Sequence, residues 1–450
     1  MVNIREVILN ILIEYDRDGN RKPSLLKDTL DKYDYLETRD KSFIKRVADG
    51  CLERNIQIDY ILDSFSKTPV SKMQPFIRSL MRMSCYQIMF MDSVPDSAAC
   101  NEAVKIAGKH KFTGLKGFVN GVLRNISRNK DKIEYPDKEA DGGIKYLSVM
   151  YSMPEWLCEM WILEYGFDKT ESMLQFFLNP RPTTVRVTQN LPQSKSVEEV
   201  VKELTDAGAV VKVNSLLPYA LELEKTDNIR YLPGFKEGEY TVQDVSSMLV
   251  MEIAAPENRQ TVVDVCAAPG GKSMHAAQMV FPDGKVFSRD VSDRKIELIE
   301  ENAERLGLVN INTKVHDAKI HDSDLKNTAD VLLLDLPCSG LGILGRKNDI
   351  KHNIKKHNLE ELSKLQWEII KSSWDYVRVG GTLVYSTCTV NKSENEDMVK
   401  RICDELPFQL VDITDNLPEP LKKSAHKGYI QLIPGEFGTD GFFIAKLKRI

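Results

Sequence analysis

Within RDKSFIKRVADGCLERN (39–55) the apolar side chains fall at Phe43, Ile44, Val47, Ala48, Cys51 and Leu52. Positions three and four apart share one face of a helix, so this stretch predicts an amphipathic helix. Similar stripes run through 3–15, 74–92, 96–109 and 113–126, separated by RDGNRKP, KTPVSK, SVPDS and KFTG. Those separators are rich in turn formers and break the periodicity. Residues 1–128 therefore predict an all-α bundle of short helices. The charged SRNKDKIEYPDKEADGG that follows is almost free of apolar residues and predicts a linker over 129–143. Residues 144–235 mix periods. Helical patterns reach about residue 177, then the strands TTVRVTQ, AVVKVN and ALELEK surround the helix SVEEVVKELTDAG. This predicts a small α/β domain.

From 236 to 450 the pattern becomes regular. Strand-like TVVDVC, GKVFSRD, INTKVHD, ADVLLLD and GTLVYSTC alternate with helical GGKSMHAAQMV, RKIELIEENAERLG, LEELSKLQWEIIKSSWDYV and ENEDMVKRICDEL, and FQLVD and FFIAKL close the chain. Alternation of this length predicts an α/β fold: a Rossmann-like, doubly wound, mostly parallel sheet of seven strands. Such sheets bind ligands at the carboxyl ends of their strands.

The first strand runs into DVCAAPGGKS (264–273), where small residues let the backbone approach a ligand at a helix N-terminus. A P-loop would need glycine in place of Cys266, and the G-x-G-x-x-G of a dinucleotide fold is absent. A nucleoside ligand without a pyrophosphate, such as S-adenosylmethionine, suits the loop, and a plain turn is the alternative. The next three strands end at Asp290, Asp317 and Asp335. Carboxylates at adjacent strand tips converge on one crevice, the first able to accept both ribose hydroxyls and the second an adenine amine. DLPCSGLG places Cys338 at the same edge, and STC places Cys388 there. A filler cysteine belongs in mid-element, as Cys51 does in its helix stripe.

Composition narrows the setting. The eight cysteines form no C-x-x-C pair and lack zinc-ligand spacing, so neither a disulfide framework nor a metal site is expected. The net charge is −5, but residues 1–130 hold 22 basic against 16 acidic residues, leaving 39 against 50 for the remainder. A basic first third is compatible with an RNA-binding module. No apolar run approaches the roughly 18 residues of a membrane span. The N-terminus reads as an amphipathic helix and not as a signal peptide, so a cytoplasmic location without membrane partners is expected.

DVCAAPGGKS, DLPCSG, YSTCTVNKSENED and IPGEFGTDGFF, with RPTTVRV and VQDVSSMLV ahead of them, resemble the RsmB/NOP2/Sun family of RNA cytosine-5 methyltransferases over roughly 145–450. VPDSAACNEAVKIAGKH and GFVNGVLRNI resemble a NusB-like RNA-binding domain. Two positions depart from the family pattern: Leu336, where alanine is usual, and His352, where tryptophan is common. The resemblance implies S-adenosylmethionine as cofactor and a cytidine of 16S ribosomal RNA, in a single-stranded or loop region, as substrate. The NusB-like part separates this reading from action on another RNA such as tRNA. Intact Gly270, Gly271, Asp335, Cys338 and Cys388 speak against a non-catalytic RNA-binding or antitermination factor.

By the same resemblance Cys266, Ala267, Ala268, Pro269, Gly270, Gly271, Lys272, Asp290, Asp317 and Asp335 line the cofactor site. Cytosine C5 is a poor nucleophile until a thiolate adds to C6, which is covalent catalysis. The resemblance makes Cys388 the attacking sulfur and Cys338 the group that assists release, with Asp335 at the ring edge. Lys272 would lower a thiol pKa or bind a carboxylate. Arg186, Arg346, Lys347 and Lys351 are candidate phosphate contacts. Gly441 would line the pocket, with Phe442 and Phe443 in strand core. The oligomeric state is left open, with a monomer expected.

Overall fold

The computed structural model describes residues 2–17, 25–224, 226 and 228–450, with the backbone alone at 141. The chain divides into two compact units.

The first unit takes residues up to Asn179 together with Leu344–Ile354. Its helices are α1 (Ile4–Arg17), α2 (Leu25–Lys32), α3 (Thr38–Glu53), α4 (Asn55–Phe65), α5 (Pro75–Phe90), α6 (Asp96–Lys109), α7 (Lys116–Asn129), α8 (Ile144–Met150), α9 (Glu155–Tyr165) and α10 (Phe167–Leu178). Helix α5 begins with proline, whose fixed φ suits a first helical position. It buries Ile77, Leu80, Met81, Met83, Cys85 and Ile88 against α1, α3, α4, α6 and α7. The α3 stripe is buried at Ile44, Val47, Ala48, Cys51 and Leu52. The RDGNRKP break lies almost wholly outside the described residues. The stretch read as a linker runs along α4: Tyr60 stacks on Tyr135 at 6.1 Å and donates to the Glu134 carbonyl at 2.7 Å. Helices α8–α10 group with the bundle and not with the small sheet.

The second unit holds two sheets. The smaller is antiparallel, in the order β2-β3-β1-β4, from β1 (Thr183–Val187), β2 (Val210–Val213), β3 (Ala220–Glu224) and β4 (Tyr240–Val242). Helix α11 (Val197–Asp206) accompanies it, started by a Ser196–Glu199 capping box. Helix α12 (Val245–Ala254) leads into the larger sheet.

That sheet contains β5 (Thr261–Asp264), β6 (Lys285–Asp290), β7 (Ile311–Val315), β8 (Ala329–Asp335), β9 (Val377–Thr387), β10 (Phe408–Leu410), β11 (Ala425–His426), β12 (Tyr429–Leu432) and β13 (Phe442–Arg449). The order is β11-β12-β13-β9-β8-β5-β6-β7, with β10 on β13. Strands β5 to β9 are parallel and β13 returns antiparallel beside β9. Nine strands, where seven were expected, reflect the added pair β11 and β12. It is short and turns at Gly428 (φ 97°), so its alternation is too brief to read. The helices are α13 (Gly271–Met279), α14 (Asp293–Arg305), α15 (Ile350–Asn353, in the segment assigned to the first unit), α16 (Lys356–Ser373) and α17 (Glu396–Glu405). Among the described residues, no helix is long and apolar enough to cross a membrane.

Two of the expected phosphate contacts are buried. Arg186 is 1% exposed; its Nε donates to Gln243 Oε1 at 2.7 Å and its Nη1 to Gln278 Oε1. Burial lowers its pKa to about 10. Lys351 is 4% exposed and donates to the carbonyls of Glu53 (2.6 Å) and Ser152 (2.8 Å). Both cations satisfy groups inside their own unit, whereas Arg346 and Lys347 are exposed.

The loop after β8 meets the loop before β13 through backbone alone. Gly342 N donates to the Cys388 carbonyl at 3.1 Å, and Gly441 N donates to the Gly342 carbonyl at 2.9 Å. A Cβ on Gly342 would lie 2.0 Å from the Gly441 carbonyl oxygen, against backbone that cannot swing aside. Gly342→Ala is therefore expected to cost roughly 1–3 kcal/mol, the range for overpacking, measured as a lowered denaturation midpoint.

Candidate active site

Parallel pairing brings the carboxyl ends of β8, β5, β6 and β7 to one edge of the sheet, and β9 ends beside them. Strand β5 ends at Asp264, and the chain passes through Val265–Gly270 into α13. Gly270 adopts φ 103°, a left-handed conformation that glycine alone takes cheaply, and a Cβ there would meet Met274 Cε at 2.7 Å. Asp290, at the end of β6, is 4% exposed and spends its carboxylate on this loop. Its Oδ2 accepts from Ala268 N at 2.9 Å; its Oδ1 accepts from Val291 N at 2.7 Å and Lys295 Nζ at 2.9 Å. Asp317 lies two residues beyond β7, half-buried, and accepts from Lys319 N at 3.0 Å.

Asp335 ends β8. Its Oδ2 accepts from Lys272 Nζ at 2.7 Å and its Oδ1 from Ser386 Oγ at 2.8 Å. The Lys272 side chain is only 12% exposed, with its ammonium 5.2 Å from the Phe442 ring centroid. Burial disfavours that ammonium, but the Asp335 carboxylate prevails and holds its pKa above the ordinary lysine value. Lys272 thus does bind a carboxylate, one supplied by the protein itself. Gly441 and the buried Phe442 and Phe443 lie in the loop and strand that close this side.

The two cysteines meet. Cys338 Sγ lies 3.2 Å from Cys388 Sγ. The Cys338 thiol is pushed well above its ordinary pKa, first by the contact with Cys388, then by burial, with the charge of Glu394 adding to it. Cys266 is raised too, by burial, which marks it as a thiol of the loop. Cys51, Cys85, Cys100 and Cys158 are buried core residues.

Three neighbours lie within the quoted motifs without having been singled out there. Ser386 holds Asp335. Asp264 lies beneath the loop, 1% exposed, with Oδ2 accepting from Ser273 Oγ at 2.7 Å and Oδ1 buried without a hydrogen-bond partner. Burial lifts its pKa to about 7. Glu394, completely buried, touches the loop of Cys338. Among the described residues, no cluster of His, Cys, Asp or Glu could hold a metal ion. The small-residue loop, where a Cβ on Gly270 would clash, and the carboxylates at the strand tips fit a cationic nucleoside ligand, while the orphaned Asp264 oxygen is sealed beneath the loop.

Residues 251–448 match the family model of 16S rRNA methyltransferase RsmB/F, residues 2–128 the NusB family, and residues 153–230 the RsmF/B-like ferredoxin-like domain. The chain is 35% identical to the probable ribosomal RNA small subunit methyltransferase B of Bacillus subtilis, covering 99% of each chain. It is 31% identical to the corresponding protein of Synechocystis sp., covering 100% of each. The crystal structure of PH0851 superposes with a TM-score of 0.80 at 25% identity, covering 100% of this chain and 99% of that one. NSun6 from Pyrococcus horikoshii, solved with SFG, gives 0.57 at 21% identity over 67% of this chain and 99% of that one.

A carboxyl group with a raised folded-state pKa loses stability as pH rises from its unfolded value, near 4, through about 7. Asp264→Asn removes that loss. Relative to wild type, the variant is expected to gain melting temperature between pH 5 and pH 8; a difference that stays flat would exclude the buried acid.

Proposed function

The chain belongs to the RsmB/F family of 16S rRNA methyltransferases, and we propose from that premise that it methylates C5 of a cytidine in 16S ribosomal RNA. S-adenosylmethionine is the cofactor and supplies the methyl group as an electrophile. The residues that would hold it are Cys266–Lys272, Asp290, Asp317 and Asp335, on the strand-end carboxylates and the loop into α13.

The observation that carries the C5 reading is the pair of sulfurs 3.2 Å apart, on the two loops that follow the hydrogen-bonded Asp335 and Ser386. Methylation of an exocyclic nitrogen or a ribose hydroxyl needs no thiol. C5 needs one sulfur bonded to C6, and later a route for the C5 proton. Cys388 Sγ adds to C6, and C5 gains the electron density to take the methyl group. A base then removes the C5 proton, the C5–C6 double bond re-forms and Sγ leaves. Asp335, fixed by Lys272 and Ser386, is the hydrogen-bonding group for the ring edge while charge develops there. The choice of Cys388 as the attacking sulfur and of Cys338 as the thiol that assists release follows the family pattern, since both sulfurs face the same crevice. The base must leave its stack to reach both sulfurs, which favours a loop or single-stranded target. A cytoplasmic location goes with a ribosomal substrate, and the NusB-family match is the part we assign to RNA binding.

The two cysteines should respond differently. Cys388→Ala is expected to abolish methyl transfer and to leave no covalent RNA adduct on a denaturing gel. Cys338→Ala is expected to let the adduct form and persist. An adduct that requires Cys338 and survives Cys388→Ala would reverse the assignment.

A further inference from the structure

Each cysteine is followed by a hydroxyl residue: Ser339 after Cys338, and Thr389 after Cys388. Both are fully enclosed, and their oxygens lie 2.6 Å apart. Ser339 Oγ donates in turn to Glu394 Oε1, which also accepts from Asn391 Nδ2 at 2.8 Å. Glu394 Oε2 accepts from Ser339 N at 2.9 Å and from Gln366 Nε2 at 3.0 Å. Four donors converge on two oxygens, and this suits an ionised carboxylate, which only accepts. With the Ser339 proton directed at Glu394, the Thr389 hydroxyl must point its proton at Ser339. The direction of the chain from Thr389 to Ser339 to Glu394 is fixed.

The same carboxylate is braced from behind. Gln366 Nε2 also donates to the Pro337 carbonyl at 3.0 Å, and Tyr385 donates its hydroxyl proton to the backbone carbonyl of Glu394. Asn395 secures the other loop: its Oδ1 accepts from Thr387 Oγ1 at 2.5 Å and its Nδ2 donates to the Thr389 carbonyl at 3.1 Å. The Cys388 loop is therefore held by Asn395, by Gly342 N on the Cys388 carbonyl and by β9 itself. The Cys338 loop has Glu394 on both its backbone and its side chain at Ser339.

We propose that Glu394 is a positioning residue for the two-cysteine reaction, clamping the loop of Cys338 against that of Cys388 so that the assisting sulfur stays in reach of the adduct. The proposal rests on the reading of the cysteines given above. Burial raises the Glu394 pKa, and the donors from Ser339, Asn391 and Gln366 oppose that shift. Its charge in turn helps keep Cys338 in the thiol form. Buried networks of this kind lose heavily when one member changes, because the remaining donors face no acceptor.

Glu394→Gln keeps the shape but turns an amide NH2 toward existing donors. The expected result resembles a milder Cys338→Ala. The kcat for methyl transfer falls tenfold or more, KM for RNA and for cofactor stays within twofold, and the fraction of enzyme trapped as covalent RNA adduct rises severalfold. The alkaline limb of the kcat–pH profile moves to lower pH, because Cys338 loses a nearby negative charge. Ser339→Ala, which removes only the hydroxyl, is the second variant if the first does not fold, and it should enrich the adduct in the same direction. Wild-type kcat with no adduct enrichment would overturn the proposal. So would a loss of kcat without enrichment, which is what simple destabilisation gives. Cys338→Ala in the same assay separates the two ideas. If it traps no adduct, the reading of the cysteines fails; if it does and neither clamp variant does, only the role of Glu394 fails.

Discussion

The parallel pairing of β8 with β9 sets the level at which everything else in the site is built. In that register Leu334 lies opposite Tyr385 and Asp335 opposite Ser386. Each strand then has only a short path to its cysteine, three residues from Asp335 and two from Ser386. A register shift of one residue would turn every side chain on one strand to the other face. Asp335 would lose Ser386, and the sulfurs would no longer meet. Strand β13, antiparallel to β9, fixes the register from the other side and brings Gly441 against Gly342.

The electrostatics follow from that geometry. Four acids lie at or just past adjacent strand tips, and their mutual repulsion is managed individually. Asp335 is paired with Lys272, Asp290 with Lys295 and two backbone amides, and Asp317 with a local amide. Asp264, deepest and least satisfied, is the one whose pKa climbs. The acid sealed beneath the loop is thus the one whose charge burial disfavours. The thiols follow the same logic: the contact with the other sulfur, burial and a nearby carboxylate all push the Cys338 thiol up.

Much of this could be read from the chain. The helix stripes, the strand–helix alternation and the three aspartates depend on local periodicity, and local periodicity is what a sequence displays. The convergence of Cys338 and Cys388 was legible because both end strands of one sheet. Arg186 and Lys351 were misread for the opposite reason. Arginine and lysine are rarely enclosed, and only tertiary structure reveals that Gln243 and Gln278, or the carbonyls of Glu53 and Ser152, are waiting for them. Glu394 was hidden as well. In NKSENED it is one acid among three, and nothing in the run distinguishes the buried acid from those beside it. The pair β11 and β12 was missed because strands of two and four residues show too little alternation.

Every role assigned to the site turns on the proposed methylation of cytosine C5 in 16S ribosomal RNA. Bisulfite sequencing of 16S rRNA from cells lacking the gene, beside the parent strain, tests it most directly. One cytidine is expected to be protected from conversion in the parent, unprotected in the deletion, and protected again when the intact gene is returned but not the Cys388→Ala form. An unchanged pattern of protected cytidines in the deletion strain would contradict it.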